Sequence, residues 1–96
     1  MKEQTMNGYE RLYRRVSGKS SRGEAEAILK WILYSLELIE SRVLRLRYGL
    51  SRNVQRTTKE TARECRVDAA AVRQIEKEGL KKLRGLLAAR AGEQLL

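Results

Sequence analysis

The most constraining feature of this sequence is a pair of helix-start signals that lie close together, at Thr57 and Asp68. Thr57 and Glu60 form a T-x-x-E capping box, in which each side chain accepts a hydrogen bond from a backbone N–H of the other residue. Asp68 is a favoured N-cap, and the strong helix formers Ala69–Ala71 follow it. Only Arg66-Val67 remains for the connection, so this stretch predicts a short helix, a tight turn and a longer helix.

Two helices joined by so short a turn suit a helix-turn-helix, whose second helix can lie in the DNA major groove. In the second helix, apolar residues recur at helical spacing toward a core: Val72, Ile75, Leu80, Leu83 and Leu87. Charged and polar residues lie largely on the other side: Arg73, Gln74, Lys77, Lys81 and Arg84. In the first helix, Ala62 and Cys65 are the predicted inward residues, while Thr58 and Thr61 are unusually polar for such positions. Gly79 and Gly85 each weaken the second helix by about 1 kcal/mol relative to Ala, so we expect fraying beyond Gly85.

The composition favours an all-α domain. The chain has no Pro and no Phe, and it is rich in Leu, Ala, Arg, Lys and Glu. Its 96 residues fit one small domain of about four to five helices with a C-terminal helix-turn-helix. We expect an N-terminal extension over 1–23, a main domain over 24–90 and a tail over 91–96. Within the main domain, two subregions are predicted, 24–56 and 57–84.

The positive charge is concentrated in the second part of the chain. The net charge is +9, and residues 41–96 hold 14 Lys and Arg against 6 Asp and Glu, whereas residues 1–40 hold 7 against 6. A basic face neutralises phosphates and releases counterions, which favours double-stranded DNA as a partner. A generally basic solvated surface is the alternative. A membrane is not expected, because no long helix separates a basic face from a strongly apolar one.

Residue usage argues against enzyme chemistry. The chain has one cysteine and no histidine, so an internal disulfide, a Cys/His zinc site and His-based catalysis are excluded. Cys65 is interpreted as a small buried hydrophobe. Gly18-Lys19-Ser20 resembles the end of a phosphate-binding loop, but Tyr13 stands where that loop needs a glycine. We therefore expect no enzyme activity, cofactor, metal or small-molecule substrate, and a cytoplasmic location, since no apolar signal core is present.

The first half of the chain predicts helices joined by one clear linker. Asn7 can cap a helix over 8–16, whose apolar stripe is Tyr9, Leu12, Tyr13 and Val16 and whose opposite face carries Arg11, Arg14 and Arg15. The linker is Ser17–Gly23. A helix over 24–36 follows, and its pattern continues to a stop at Gly49. No Pro marks a join, so one bent helix or two helices over 24–48 are both open.

The motifs resemble region 4 of bacterial sigma-70-type factors. The resemblance rests on VLRLRYGL at Val43–Leu50, on Thr57 and Glu60, on VRQIE at Val72–Glu76, and on LKKLR at Leu80–Arg84. It implies four helices. In that family the first pair cups the flap-tip helix of the RNA polymerase β subunit, and the last pair binds the promoter −35 element.

The resemblance also implies site residues. The positions expected to face DNA are Arg47, Thr57, Thr58, Arg73, Gln74, Lys77 and Lys81. The positions expected to contact partners are Ile28, Trp31, Ile32, Leu36, Ile39, Val43, Leu46, Lys82 and Arg84. Lys82 and Arg84, together with Lys81, match family contact points for activators.

Three departures from the family pattern matter. The family usually carries an Arg-Glu-Arg type triplet at the start of the recognition helix, where this chain has Ala69–Ala71, so we expect weak or altered sequence reading. Arg66 replaces the glycine of the family turn, and we expect a less stable motif. Sigma regions 2 and 3 are not in this sequence, so the expected partners include a sigma region 2-like protein or an activator.

Three functions remain open at this point. The leading hypothesis is a stand-alone sigma region 4-like transcription factor that binds the polymerase flap and −35-type DNA. The second is a regulator that occupies the flap and redirects or inhibits transcription with little DNA reading. The third is an ordinary dimeric helix-turn-helix repressor.

Overall fold

The computed structural model describes the backbone of residues 6–95 and the side chains of residues 6–90, and this range contains five α-helices and no strand. The helices are α1 (Gly8–Ser17), α2 (Ala25–Leu33), α3 (Leu38–Tyr48), α4 (Thr58–Cys65) and α5 (Ala69–Leu95). The predicted all-α class with four to five helices is confirmed. The start of the predicted extension, residues 1–5, and the last residue of the predicted tail lie outside the described residues.

The segment 24–48 forms two helices, which settles the alternative that the sequence left open. α2 ends at Leu33, and the backbone at Glu37 is extended before α3 begins. The Glu40 carboxylate accepts a hydrogen bond from the backbone N–H of Glu37 at 3.1 Å, so one of the free N–H groups at the start of α3 is satisfied. α3 then ends where predicted, because Gly49 adopts a left-handed conformation with φ 64°.

The core is organised around α5, which packs against each of the other four helices. Its main cluster joins all helices except α4, and its fully buried leucines are Leu12, Leu29, Leu33, Leu44 and Leu83. Burying each such side chain stabilises the fold by about 1.5–3 kcal/mol. A second cluster of Val43, Ala62 and Val72 lies between α3, α4 and α5. This second cluster fixes the α4–α5 pair on the rest of the domain.

α1 is docked on the body of the domain through both apolar and polar contacts. Leu12 and Val16 are buried in the main cluster. Arg11, predicted on the outer face, instead donates to the carbonyl oxygen of Tyr48 at 3.1 Å and to Oδ1 of Asn53 at 3.0 Å. The correction has a simple cause: the C-terminal carbonyls of a helix need donors and favour cations. Arg11 therefore ties α1 to the end of α3.

α5 continues well beyond the glycine at which fraying was predicted. The helix runs through Gly85 to Leu95, so that prediction is wrong for the backbone. Leu86 and Leu87 pack against the main cluster, and their burial offsets the low helix propensity of Gly85. Gly79 allows α5 to pack closely against α3, because a Cβ at this position would lie 3.1 Å from a methyl carbon of Leu44.

Candidate nucleic-acid interface

The predicted caps of α4 and α5 are present. Thr57 Oγ1 accepts from the N–H of Glu60 at 3.0 Å, and a Glu60 carboxylate oxygen accepts from the N–H of Thr57 at 2.8 Å. Asp68 Oδ1 accepts from the N–H of Ala71 at 2.8 Å. Both helices therefore begin where the sequence predicted, and the short helix, tight turn and longer helix are confirmed. We call residues 57–84 the α4–turn–α5 unit.

The turn within this unit places a non-glycine residue in the left-handed region. Arg66 has φ 59° and ψ 43°, and the N–H of Val67 donates to the carbonyl of Ala62 at 3.0 Å. A left-handed conformation costs an L-residue roughly 1–2 kcal/mol, which is why glycine is common at such helix ends. Arg66 therefore adopts a backbone conformation that is typical of glycine at the end of a helix.

The outward side of α5 is polar and basic, as predicted. Arg73, Gln74, Lys77 and Lys81 are exposed, whereas Val72, Leu80 and Leu83 on the inner side are buried. At the start of the helix Ala70 is exposed and Ala69 and Ala71 are partly buried. The first turn of α5 therefore presents only methyl groups, and side chains able to reach a base edge begin one turn later.

An open concavity of about 340 Å³ lies beside this outward side. Its lining is dominated by cations and consists of Arg15, Arg47, Thr58, Arg73, Glu76, Lys77, Leu80 and Arg84. Four of the predicted DNA-facing residues meet here: Arg47, Thr58, Arg73 and Lys77. Thr57, Gln74 and Lys81 are exposed but do not line it. We call this concavity with its lining residues the basic face.

Glu76, the acidic residue in the lining of the basic face, is bound by two side chains of α3. A Glu76 carboxylate oxygen lies 3.0 Å from Nε of Arg47, and the other lies 3.4 Å from the Tyr48 hydroxyl. Arg47 also donates to the carbonyl of Arg56 at 2.7 Å. Burial raises the pKa of Tyr48, the charge of Glu76 adds to the rise, and the nearby guanidinium of Arg15 opposes it. Arg47 therefore links α3 to α5 through Glu76, and its side chain remains 28% exposed to solvent.

Arg15 is a member of the basic face that sequence reasoning missed. It lies on α1, far from the other members in the chain, and was predicted only as part of a polar helix face. The sequence signal was the basic pair at the end of α1, but nothing in the sequence shows that this end lies against α5. Arg84, predicted as a partner contact, also lines the concavity.

Three residues of the predicted partner set are core residues and must be corrected. Val43 is fully buried, and Ile32 and Leu36 are each 7% exposed. Ile32 lies on the buried stripe of α2 and Val43 on that of α3, and Leu36, in the turn between the two helices, packs in the main cluster. These three positions therefore leave the candidate partner surface.

The other predicted partner residues keep some exposed area. Trp31 is 64% exposed, and Ile28, Ile39 and Leu46 are partly buried. Lys82 is paired, since its ammonium lies 2.8 Å from the Glu40 carboxylate.

Near the α2–α3 turn, two large exposed hydrophobic side chains were not among the predicted partner residues. Leu38 is 90% exposed at the first position of α3, and Tyr34 is 82% exposed just after α2. Together with Trp31 they make the α2–α3 turn the most apolar exposed part of the described chain. Periodicity could not identify Leu38, because the sequence did not show where α3 begins.

The chemistry of the described residues gives no other site. Cys65 is partly buried beside the second cluster. Over residues 6–95 no helix is long and apolar enough to cross a bilayer. No group of three or more side chains suited to holding a metal ion gathers within the described part of the chain.

Comparison with known proteins identifies the family. Residues 32–85 match the family model of sigma-70, region 4. The chain is 42% identical over 57 residues to the RNA polymerase sigma factor RpoD of Neisseria gonorrhoeae, covering 59% of this chain and 9% of that protein. It is 46% identical over 59 residues to the RNA polymerase sigma factor SigA of Clostridium acetobutylicum, covering 62% of this chain and 15% of that protein. No solved structure matches.

The fold and the matched segment define a small helical domain of a non-enzymatic, transcription-related class. The chain belongs to the sigma-70 region 4 family. It spans about a tenth to a seventh of the length of the two curated relatives. α1 precedes the matched segment, so Arg15 lies outside the part that defines the family.

Proposed function

We propose that this chain binds promoter DNA of the −35 type through the α4–turn–α5 unit and RNA polymerase through the surface of α2 and α3. The observation that carries the DNA half is the basic face. Arg73 and Lys77 of α5 and Thr58 of α4 line one concavity with Arg47. In the sigma factors that this chain resembles, the positions matching Arg47 and Thr58 touch phosphates, and the position matching Arg73 lies in the major groove.

Charge supports the same partner. The basic face has five cationic residues and one carboxylate, and that carboxylate is bound by Arg47. Duplex DNA presents closely spaced phosphates, and neutralising them releases condensed counterions. Binding should therefore be strongly salt-dependent. Phosphate contacts position a protein without reading sequence, so they do not require the missing base-reading side chains at Ala69–Ala71.

The polymerase half rests on the exposed apolar residues near the α2–α3 turn. Trp31 and Leu38 are large and well exposed, and Ile39 and Leu46 are partly exposed on α3. Exposed aromatic and aliphatic side chains are typical of protein-binding surfaces. The partner implied by the resemblance is the flap-tip helix of the β subunit, and the two curated relatives carry the name RNA polymerase sigma factor.

A second candidate function is favoured by the three alanines. A domain that occupies the polymerase flap and reads little sequence would redirect or inhibit transcription. Its motivation is that Ala69–Ala71 offer no hydrogen-bonding side chain to a base edge. The two candidates share the flap contact and differ in whether one promoter sequence is preferred over random DNA.

The test is a gel-shift and footprinting experiment on −35-type promoter DNA, with and without RNA polymerase. A polymerase that lacks the flap tip is the matched control. The proposal predicts a footprint at the −35 region that is strengthened by intact polymerase and not by the control enzyme. Equal binding to promoter and random DNA together with flap binding would support the second candidate. A palindromic footprint by a dimer, without polymerase, would indicate an ordinary repressor, and no DNA contact under any condition would remove the DNA half.

A further inference from the structure

Helix α1 contributes to the basic face although it precedes the segment that matches the family. Arg15 from α1 and Arg84 from the second half of α5 line the same concavity as Arg73 and Lys77. Arg84 also lies beside α1 in a neighbouring groove with Tyr13. The concavity therefore extends from the α4–turn–α5 unit to α1.

Arg15 and Arg84, the two arginines at this end of the basic face, have no ion-pair partner among the described side chains. Glu76 is the one carboxylate in the lining, and it lies 3.0 Å from Arg47. Among the side chains that the structure describes, Arg15, Arg73, Lys77 and Arg84 form no ion pair. Cations that face one concavity repel each other, and a polyanion in that concavity relieves the repulsion.

Arg15 is held on a docked helix rather than on a flexible segment. Leu12 and Val16, on either side of it along α1, are buried in the main cluster. Arg11 bonds the end of α3, and Asn7 caps α1 by accepting from the N–H of Glu10 at 2.9 Å. A side chain presented by such an anchored helix loses less conformational entropy on binding than one on a mobile loop.

The length of the basic face fits more than one phosphate. Arg73 and Arg84 are three turns apart on α5, a distance of roughly 16 Å at a rise of about 1.5 Å per residue. Phosphates of one DNA strand recur every 3.4 Å or so along the duplex axis. The basic face is therefore long enough to span several phosphates of one strand.

We propose that α1 is a second DNA-contacting element, in which Arg15 together with Arg84 binds a backbone phosphate next to the stretch met by the α4–turn–α5 unit. This inference rests on the proposed DNA-binding function and extends it to a helix outside the matched segment. Because the contact is to phosphate, it adds affinity and register without adding sequence preference.

The test compares Arg15→Ala with Arg14→Ala in the full chain. Arg14→Ala is the matched control, because it removes the same charge from the neighbouring residue. Arg14 does not line the concavity, and its Nε lies 3.0 Å from a Glu10 carboxylate oxygen. The probe is a fluorescein-labelled duplex of about 25 base pairs of mixed sequence, followed by anisotropy between about 50 and 300 mM salt. Arg15→Ala should weaken binding about three- to tenfold at 0.1 M salt and lower the slope of log K against log salt by about 0.9. Arg14→Ala should leave the slope unchanged, and Arg15→Lys should retain it.

The outcomes separate the α1 contact from the proposed function. If Arg15→Ala and Arg14→Ala bind alike while Arg73→Ala binds weakly, α1 is outside the interface and the proposed function stands. If the wild-type chain binds no duplex either alone or with RNA polymerase, the α1 contact and the DNA half of the proposed function both fail. Inorganic phosphate replaces DNA in a second arm, and Arg15-dependent phosphate binding with Arg15-independent duplex binding would overturn the DNA assignment. Where Arg15→Ala lowers the melting temperature, Arg15→Gln, which keeps the aliphatic stem, gives the same slope comparison with Arg15→Lys.

Discussion

The Lys82 ammonium lies 2.8 Å from the carboxylate of Glu40, whose side chain is 8% exposed. The same carboxylate accepts from the N–H of Glu37, so one acidic group joins α5 to the start of α3. The hydrogen bond to Glu40 raises the pKa of Lys82. Lys82 was predicted as a partner contact, and the structure gives it a second role within the fold. Any partner that binds Lys82 has to compete with Glu40.

This pair predicts loss of stability at alkaline pH. A lysine whose folded pKa is raised stabilises the fold fully below its unfolded pKa of about 10.4, and that stabilisation is lost as pH rises through the folded pKa. Lys82→Met should therefore melt below the wild type at pH 8, and the difference should shrink as the pH approaches 11. Thermal melts across this range measure it. Lys81→Met is the control, since Lys81 is exposed and forms no ion pair with any described side chain. A difference that is constant with pH would contradict the assignment.

Thr61→Val should stabilise the protein. Thr61 is fully buried, and its Oγ1 has no hydrogen-bond partner among the described residues. Valine has nearly the same shape and no polar atom to desolvate, so the free energy of unfolding should rise by about 1–2 kcal/mol. Urea denaturation measures the change. Thr58→Val, at a partly buried position of α4, should stay within about 0.5 kcal/mol of the wild type. A lower stability for Thr61→Val would show that the hydroxyl is bonded in solution.

Arg66→Gly should relieve the strained turn. The left-handed conformation costs arginine about 1–2 kcal/mol, and glycine loses about 0.5–1 kcal/mol through its greater freedom in the unfolded chain. The free energy of unfolding, measured by urea denaturation, should therefore rise by up to about 1.5 kcal/mol. Arg63→Gly is the matched control: Arg63 lies within α4, so the same change should destabilise by about 1 kcal/mol. Equal losses for both variants would mean that the turn is not strained.

Adding base-reading side chains at the start of α5 should increase the preference for one DNA sequence over another. Ala70 is exposed and Ala69 precedes it at the first helical position. The double variant Ala69→Arg/Ala70→Glu restores the first two residues of the family triplet, and each good base contact is worth about 1–3 kcal/mol of discrimination. A −35-type duplex should then be preferred at least about tenfold over a scrambled duplex in competition binding. Ala88→Arg/Ala89→Glu, at exposed positions on the same helix, should keep the sequence preference of the wild type. Identical behaviour of the two double variants would place the start of α5 outside the groove.

The sequence predicted what depends on local signals and missed what depends on helix docking. Asn7, Thr57 and Asp68 all cap their helices as predicted. Caps can be predicted from sequence because a capping side chain bonds a backbone N–H within three residues of it. Long-range packing was different: the resemblance implies a partner contact at Val43, but this residue is fully buried, and an apolar periodicity does not show what covers the apolar face. The place of Arg15 in the basic face also follows only from the docking of α1, which brings residues distant in the chain together.

The most direct test of the central claim is the salt dependence of duplex binding by the wild-type chain and by Arg73→Ala. Arg73 is exposed on α5 and lines the basic face. If α5 meets the duplex, Arg73→Ala should weaken binding to a −35-type duplex by about 1–3 kcal/mol or reduce the salt slope by about 1. Lys30→Ala, on the exposed side of α2, is the charge-matched control and should bind like the wild type. Binding curves of Arg73→Ala that superimpose on those of the wild type at every salt concentration would contradict the account.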